Sequence, residues 1–150
     1  MASLIIGSDH RGFNLKEKIK EWLISQNYQI EDISNKTINP DDNYPDFAIK
    51  LGEKVVQNNI KGILFCANGV GVNIAVNKVK GVRASICFNE KQTRTGRNDD
   101  DLNVLCIASD FLSFEECQQI INAFLTTVFS PEERYIRRIN IIKQYESTIG

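Results

Sequence analysis

Gly62-Ile63-Leu64-Phe65-Cys66 runs directly into Ala67-Asn68-Gly69-Val70-Gly71 and on to Ile74, Ala75 and Asn77. An apolar run of strand length, a glycine-bearing turn and then helical spacing read as a buried strand handing over to a helix. Runs of the same kind recur at Ser3 to Ile6, Tyr28 to Ile33, Val82 to Phe88 and Asn103 to Ile107, with longer helix-like stretches between them. Strands that alternate with helices pair in parallel through right-handed crossovers, and the resulting sheet is covered on both faces. The expected fold is therefore α/β: a three-layer sandwich around a five-stranded parallel sheet, in a single domain over residues 1–150.

The helices are legible from their apolar faces. The first carries Leu15, Ile19, Trp22 and Leu23 on one side, with Lys16, Lys18, Lys20 and Glu21 filling most of the remainder. The second opens with Pro45, favoured at the first helical position, sends Phe47, Ala48, Leu51, Val55 and Val56 toward the core, and stops near Asn58-Asn59. Ser113 with Glu116 three residues on is a capping box, and Cys117, Ile120, Ile121, Phe124 and Leu125 continue behind it at helical spacing. After Pro131 a final helix has Ile136, Ile139, Ile142 and Tyr145 as its apolar side and bears Arg134, Arg137 and Arg138. The longest irregular stretch, Ser34 to Tyr44, is rich in Asn and Asp and sits inside the domain. There is no internal repeat, low-complexity segment or linker.

Composition narrows the function classes. The 150 residues hold 18 Lys plus Arg against 19 Asp plus Glu, a net charge of −1, so there is no broad electrostatic footprint for nucleic acid. A local basic patch occurs only near Arg134. With 42% apolar and 25% charged residues the chain can bury a core, and no run approaches the roughly 18 apolar residues of a membrane span. The first apolar strip is too short for a signal-peptide core. Cysteines 66, 87, 106 and 117 form no Cys-x-x-Cys pair, which disfavours a zinc ribbon or redox dithiol and favours free thiols in a reducing, cytoplasmic setting. The single histidine excludes any site that needs two imidazoles from one chain.

Ligands of open parallel sheets gather at the carboxyl ends of the strands. After the first strand, Gly7-Ser8-Asp9-His10-Arg11-Gly12 puts a carboxylate, the imidazole and a guanidinium where a helix begins. That suits anions and hydroxyls; the plainer reading is a capping Asp9 and a solvated His10. After the third strand, backbone amides converge in the glycine turn. The turn lacks the Gly-Lys-Ser/Thr of a P-loop, and Ile74 stands where a dinucleotide fingerprint has its third glycine. A thiol at a strand end facing a helix amino terminus is expected to have a lowered pKa, which makes Cys66 a candidate nucleophile or base. Cys87, Cys106 and Cys117 read as small buried hydrophobes. In Arg97-Asn98-Asp99-Asp100-Asp101-Leu102-Asn103 the adjacent carboxylates diverge and no further ligands sit at calcium-loop spacing, so a solvated turn is expected rather than a metal site. Arg134 and Arg138, four apart, share a helix face that can grip a phosphate, or else offset Glu132 and Glu133.

Gly7 to Phe13, Asn43 to Asp46, Cys66 to Gly71 with Ala75 to Lys78, Gly81 to Ala84, Asn103 to Leu105 and the closing arginines together resemble the ribose-5-phosphate isomerase B and galactose-6-phosphate isomerase subunit family. The likeness spans nearly the whole chain. It implies a flavodoxin-like (Rossmann-like) sheet and a homodimer, with tetramers a further state, whose sites lie at an interface that includes the C-terminal helix. It also implies interconversion of aldose and ketose phosphates without cofactor or metal, with ribose 5-phosphate and ribulose 5-phosphate as the default pair. By position Cys66 resembles the base that moves a proton between the first two sugar carbons, and the amides of Ala67, Asn68, Gly69, Val70 and Gly71 resemble the cradle for the enediolate. Asp9 matches a residue near the sugar hydroxyls and Tyr44 one that lines the pocket. His10 with Arg134 and Arg138 matches the phosphate grip, partly supplied by the partner subunit.

The chain departs from that family at a few positions. Asp99 and Asp100 stand where the family usually has a ring-opening histidine followed by an asparagine, Ala67-Asn68 replaces Gly-Thr, and Asp110 replaces an arginine. Asp99 is then the candidate general base on the anomeric hydroxyl, with Asp100 beside it among the substrate-binding residues. Two other readings stay open: a sugar-phosphate-binding protein or partner subunit that has lost catalysis, and an isomerase of a different sugar phosphate. A flavin or nucleotide binder follows only from analogy of fold.

Overall fold

In the computed structural model, residues 3–34 and 36–149 are described. In chain order the elements are β1 (Ser3–Ser8), α1 (Phe13–Ser25), β2 (Gln29–Asp32), α2 (Tyr44–Asn58), β3 (Lys61–Cys66), α3 (Val70–Val76), β4 (Ala84–Ile86), α4 (Glu90–Asp100), β5 (Val104–Ala108), α5 (Phe114–Thr126) and α6 (Glu133–Glu146). All strand pairs are parallel, in the order β2-β1-β3-β5-β4. Flavodoxin-type sheets run 2-1-3-4-5, so this sheet is flavodoxin-like with its last two strands exchanged.

Period-two alternation divides the core between the two faces. Leu4, Ile6, Phe65, Leu105 and Ile107 pack with Ile19, Leu23, Ile120 and Phe124 from α1 and α5. Ile5, Leu64, Cys66, Val104 and Cys106 pack with Ala48, Leu51 and Val55 of α2 and Val72, Ala75 and Val76 of α3. The three-layer sandwich follows.

The order reverses between β1, whose chain leads outward to β2, and β3, whose neighbours lie on the other side. That switch point is where open α/β sheets hold ligands, and the register aligns it, with Ser8 opposite Phe65 and Cys66 opposite Ala108. Cys66 ends one of the two strands that flank it and Asp9 follows directly on the other.

Several local expectations hold. The Ser113–Glu116 capping box is formed in both directions, Pro45 lies in the first turn of α2, and Asn59 closes that helix in the left-handed region at φ 50°. Others are corrected. The second and fourth strands are shorter than the apolar runs suggest, at four and three residues. Both are edge strands with a partner on one side only, so pairing ends early. The Asn77 carboxamide bonds both the N–H and the carbonyl of Ala84, and the Gln92 side chain bonds the Ile86 carbonyl and the Phe88 N–H.

Lys16, expected on the solvated side of α1, is 0% exposed. Its Nζ lies 2.7 Å from Asp32 and 2.6 Å from Glu17, and sits over the Phe13 ring, so the helix buries a wider stripe than its apolar residues define. Val56, expected in the core, is 42% exposed. On α6 only Tyr135 and Ile139 are buried, while Ile136, Ile142 and Tyr145 are left uncovered. Among the described residues no helix is long and apolar enough to cross a membrane.

Candidate active site

The glycine turn is built around the thiol. Gly69 takes φ 75°, a region costly for residues with a Cβ, and from there its N–H donates to Cys66 Sγ at 3.1 Å. The Cys66 and Ala67 carbonyls accept from the N–H groups of Ser109 and Asp110 at 2.8 and 2.9 Å. These bonds hold the strand-end backbone. The Asn68 side chain folds back to accept from Val70 N–H at 3.0 Å and so opens α3. Against Gly71 lies the Tyr44 ring, so close that a Cβ there would meet it at 2.7 Å.

The thiol itself differs from expectation. Cys66 is 5% exposed, and burial pushes its pKa up from the ordinary thiol value. The amides of Val72, Gly69 and Asn68 pull it back and nearby Asp9 opposes them, leaving a net rise. The expectation of a lowered pKa is overturned because removing water from a thiolate costs more here than three backbone donors return. All four cysteines are free and buried.

Asp9 Oδ1 accepts from Gly12 N–H at 2.9 Å at the start of α1, and its carboxyl stands within electrostatic reach of Cys66. Burial raises its pKa most; Asp42 raises it further, while the Gly12 amide and His10 lower it. His10 is not a merely solvated loop residue, since its Nδ1 meets Asp42 Oδ1 at 2.8 Å. Arg11 reaches across to Asp110 at 3.0 Å, so this acidic substitution carries its own cation.

Asp42 was not singled out from the sequence. It lies in the Asn- and Asp-rich stretch, and its one distinguishing signal is its place just before Asn43-Tyr44-Pro45-Asp46.

The other candidates sit elsewhere. Helix α4 runs back to the amino end of the sheet, so Asp99 and Asp100 lie before β5 whereas Cys66 pairs with its last residue. At ~3.3 Å per residue, the strand separates them by about 13 Å. Burial raises the Asp100 pKa, Asp99 adds to this, and Arg138 and Arg83 offset it. Arg83, Asp100, Arg138, Ile139, Ile142 and Tyr145 line a cavity of about 800 Å³ at this end. Asp99 Oδ1 accepts from the Asn98 side chain at 2.8 Å.

Arg134 pairs with Glu132 at 3.0 Å and with the Tyr135 hydroxyl at 2.8 Å, while Arg138 faces Asp100. The candidate residues form two groups: Cys66, Asp9, His10, Tyr44 and residues 67–71 at the carboxyl end, and Asp99, Asp100 and Arg138 at the amino end.

Comparison with known proteins gives one consistent answer. The ribose/galactose isomerase family matches residues 4–142. A ribose-5-phosphate isomerase B from Mycolicibacterium paratuberculosis is 33% identical over 144 residues, covering 95% of this chain and 91% of that protein. The crystal structure of ribose-5-phosphate isomerase B from Mycoplasma genitalium with bound ribulose-5-phosphate superposes with a TM-score of 0.93 at 39% identity, covering 98% of this chain and 97% of that one. The corresponding enzyme of Clostridium thermocellum gives 0.92 at 33% identity, with 97% of each chain covered. With its strand order, its switch-point thiol and a match over almost all its length, this chain belongs to the ribose/galactose isomerase family.

Proposed function

We propose that this protein interconverts ribose 5-phosphate and ribulose 5-phosphate, with the Cys66 thiolate as the base that moves the proton between C1 and C2. The observation that carries the reading is the Gly69 amide bonded to Cys66 Sγ at the switch point, with Asp9 beside it. The relatives are named for this reaction, and one of them holds its ketose product.

The chemistry follows from these groups. The thiolate takes the C2 proton of the open-chain aldose, leaving an enediolate, and the resulting thiol returns the proton to C1. A proton passes from the C2 hydroxyl to the C1 oxygen, so the product is an isomer and no redox partner is consumed. Within the Ala67 to Gly71 turn the amides not already bonded to Cys66 Sγ and Asn68 Oδ1 hold the developing oxyanion, and each well-aimed donor contributes about 3 kcal/mol. A positioned base adds about 10²- to 10⁴-fold. Asp9 binds sugar hydroxyls and Tyr44 closes the pocket wall. No cofactor or metal is needed.

Ring opening and phosphate binding need the second group of residues. A homodimer that sets the amino end of one copy against the carboxyl end of the other brings Asp99, Asp100, Arg134 and Arg138 to the thiol. The uncovered Ile136, Ile142 and Tyr145 on α6 support such an interface. Asp99 then takes the proton of the anomeric hydroxyl, and His10 joins the arginines at the phosphate. Arg11 and Arg138 offset Asp110 and Asp100, which keeps the mouth open to a dianion. Four free thiols suit a cytoplasmic setting.

The test is solvent exchange. Purified protein with ribose 5-phosphate in D2O is expected to form ribulose 5-phosphate and carry deuterium into the transferred position, and Cys66→Ala is expected to abolish both. Absence of turnover and exchange in the wild type would overturn the reading. Thermal stabilisation by the sugar phosphate without turnover would assign the protein as a binder instead.

A further inference from the structure

His10 and Asp42 come together from loops 32 residues apart in the chain. The Asp42 side chain is 10% exposed, although the neighbouring Asp41 and Asn43 are exposed, so this one carboxylate is turned inward. Its Oδ1 lies 2.8 Å from His10 Nδ1, and the imidazole is 30% exposed. An ionised carboxylate only accepts, so the hydrogen in this bond belongs to Nδ1. In the neutral ring that leaves the lone pair on Nε2, at the side of the ring turned away from Asp42.

Both ends of the Asp42 segment are tied to the site. Ile33 N–H bonds Ile6 carbonyl at 3.0 Å, and Ser8 N–H bonds Ser34 Oγ at 3.1 Å, which fixes the exit of β2 against the end of β1. On the other side Asp46 N–H bonds Asn43 carbonyl at 3.1 Å as α2 opens with Tyr44 against Gly71. The carboxylate is thus held by the same backbone that presents Asp9 and Tyr44.

We propose that Asp42 is a positioning residue: it fixes the orientation and tautomer of the His10 imidazole so that Nε2 faces the substrate, accepting from a sugar hydroxyl in the neutral ring and donating to a phosphate oxygen when the ring carries its second proton. What Nε2 meets rests on the isomerase reading above, whereas the tautomer does not. The chain has one histidine, so a long-range proton–nitrogen correlation spectrum contains a single imidazole and needs no assignment by mutation.

With the ring neutral, the wild type is expected to show the Nδ1–H form. Asp42→Asn, whose amide oxygen still accepts, is expected to keep that form, and Asp42→Ala to revert to Nε2–H. In parallel, Asp42→Ala is expected to raise KM for ribose 5-phosphate about tenfold with kcat changed less than about twofold, as for one hydrogen bond to substrate lost when the His10 ring is no longer held in place. A wild-type Nε2–H ring, or indistinguishable spectra for wild type and Asp42→Ala, would overturn the proposal, as would an unchanged KM in an active enzyme. Nδ1–H in the wild type, lost in Asp42→Ala, with no turnover in either, would support the positioning and overturn the isomerase reading alone.

Discussion

The Gly69 N–H points at Cys66 Sγ from 3.1 Å, so the turn that starts α3 is organised about the sulfur before any substrate arrives. Burial nevertheless raises the thiol pKa above its ordinary value. Only the thiolate takes a proton from carbon, and raising the pKa lowers its fraction at neutral pH. The value of kcat/KM is therefore expected to climb about tenfold per pH unit from neutrality into the range above ordinary thiols, without a plateau at neutral pH. A pH–rate profile checks this, and alkylation of Cys66 by iodoacetamide should follow the same curve.

Gly69→Ala acts on that same bond. A left-handed φ costs a Cβ-bearing residue about 1–2 kcal/mol, and relaxing it swings the amide off the sulfur. Loss of a donor that favours the thiolate moves the pH–rate profile further up. Stability by urea unfolding and the profile should shift together.

Gly71→Ala tests the pocket wall. The new Cβ would stand 2.7 Å from the tip of the Tyr44 ring, which can rotate away at the cost of its place in the site. KM for ribose 5-phosphate is expected to rise about tenfold, as for other losses of one well-placed contact. In Tyr44→Ala the same glycine substitution should have little further effect, because neighbouring sites are not additive.

Separation of the two residue groups by a strand's length gives a complementation experiment. Cys66→Ala and Arg138→Ala are each expected to be nearly inactive. Refolded together in equal amounts, they should regain about a quarter of wild-type activity, since half the dimers are mixed and one site in each is intact. No recovery, with mixed dimers confirmed by mass, would place both groups in one copy.

Buried Lys16 allows a stability prediction. Burial alone would raise the Asp32 pKa, but bonds from Lys16, Ser34 and Lys20 outweigh it and hold the carboxyl below its usual value. The stabilisation is present above the unfolded-state pKa and is lost as pH falls through the lower folded one. Asp32→Ala leaves the buried Lys16 ammonium with only the part-exposed Glu17 carboxylate and is expected to cost about 3 kcal/mol near neutral pH, the low end for a broken buried pair. Lys16→Met should cost less, because Asp32 keeps Lys20 and Ser34. Urea unfolding across acidic pH measures both.

The sheet and its helices were readable because burial on two faces leaves continuous apolar runs, as in Ile63 to Cys66, and because Pro45 and Ser113 mark helix starts locally. Strand ends at the edges were less so: pairing, not hydropathy, stops β4 at Ile86. Lys16 was misjudged because a carboxylate supplied from β2 makes its burial tolerable, and no local pattern records that. The Cys66 environment was misread in sign, since the sequence shows the donors of the turn but not how completely α2 and α3 exclude water. Asp42 escaped notice for a related reason. A bond between residues 32 apart depends on how an irregular segment folds back, and periodicity says nothing about such segments.

The outer border of the sheet at β4 has its polar backbone groups occupied by Asn77, Gln92 and the Ser85 hydroxyl. A strand from another molecule finds few vacant donors or acceptors there. On that flank contact with another molecule falls to side chains, and fibrous growth by adding ribbon to ribbon is blocked there.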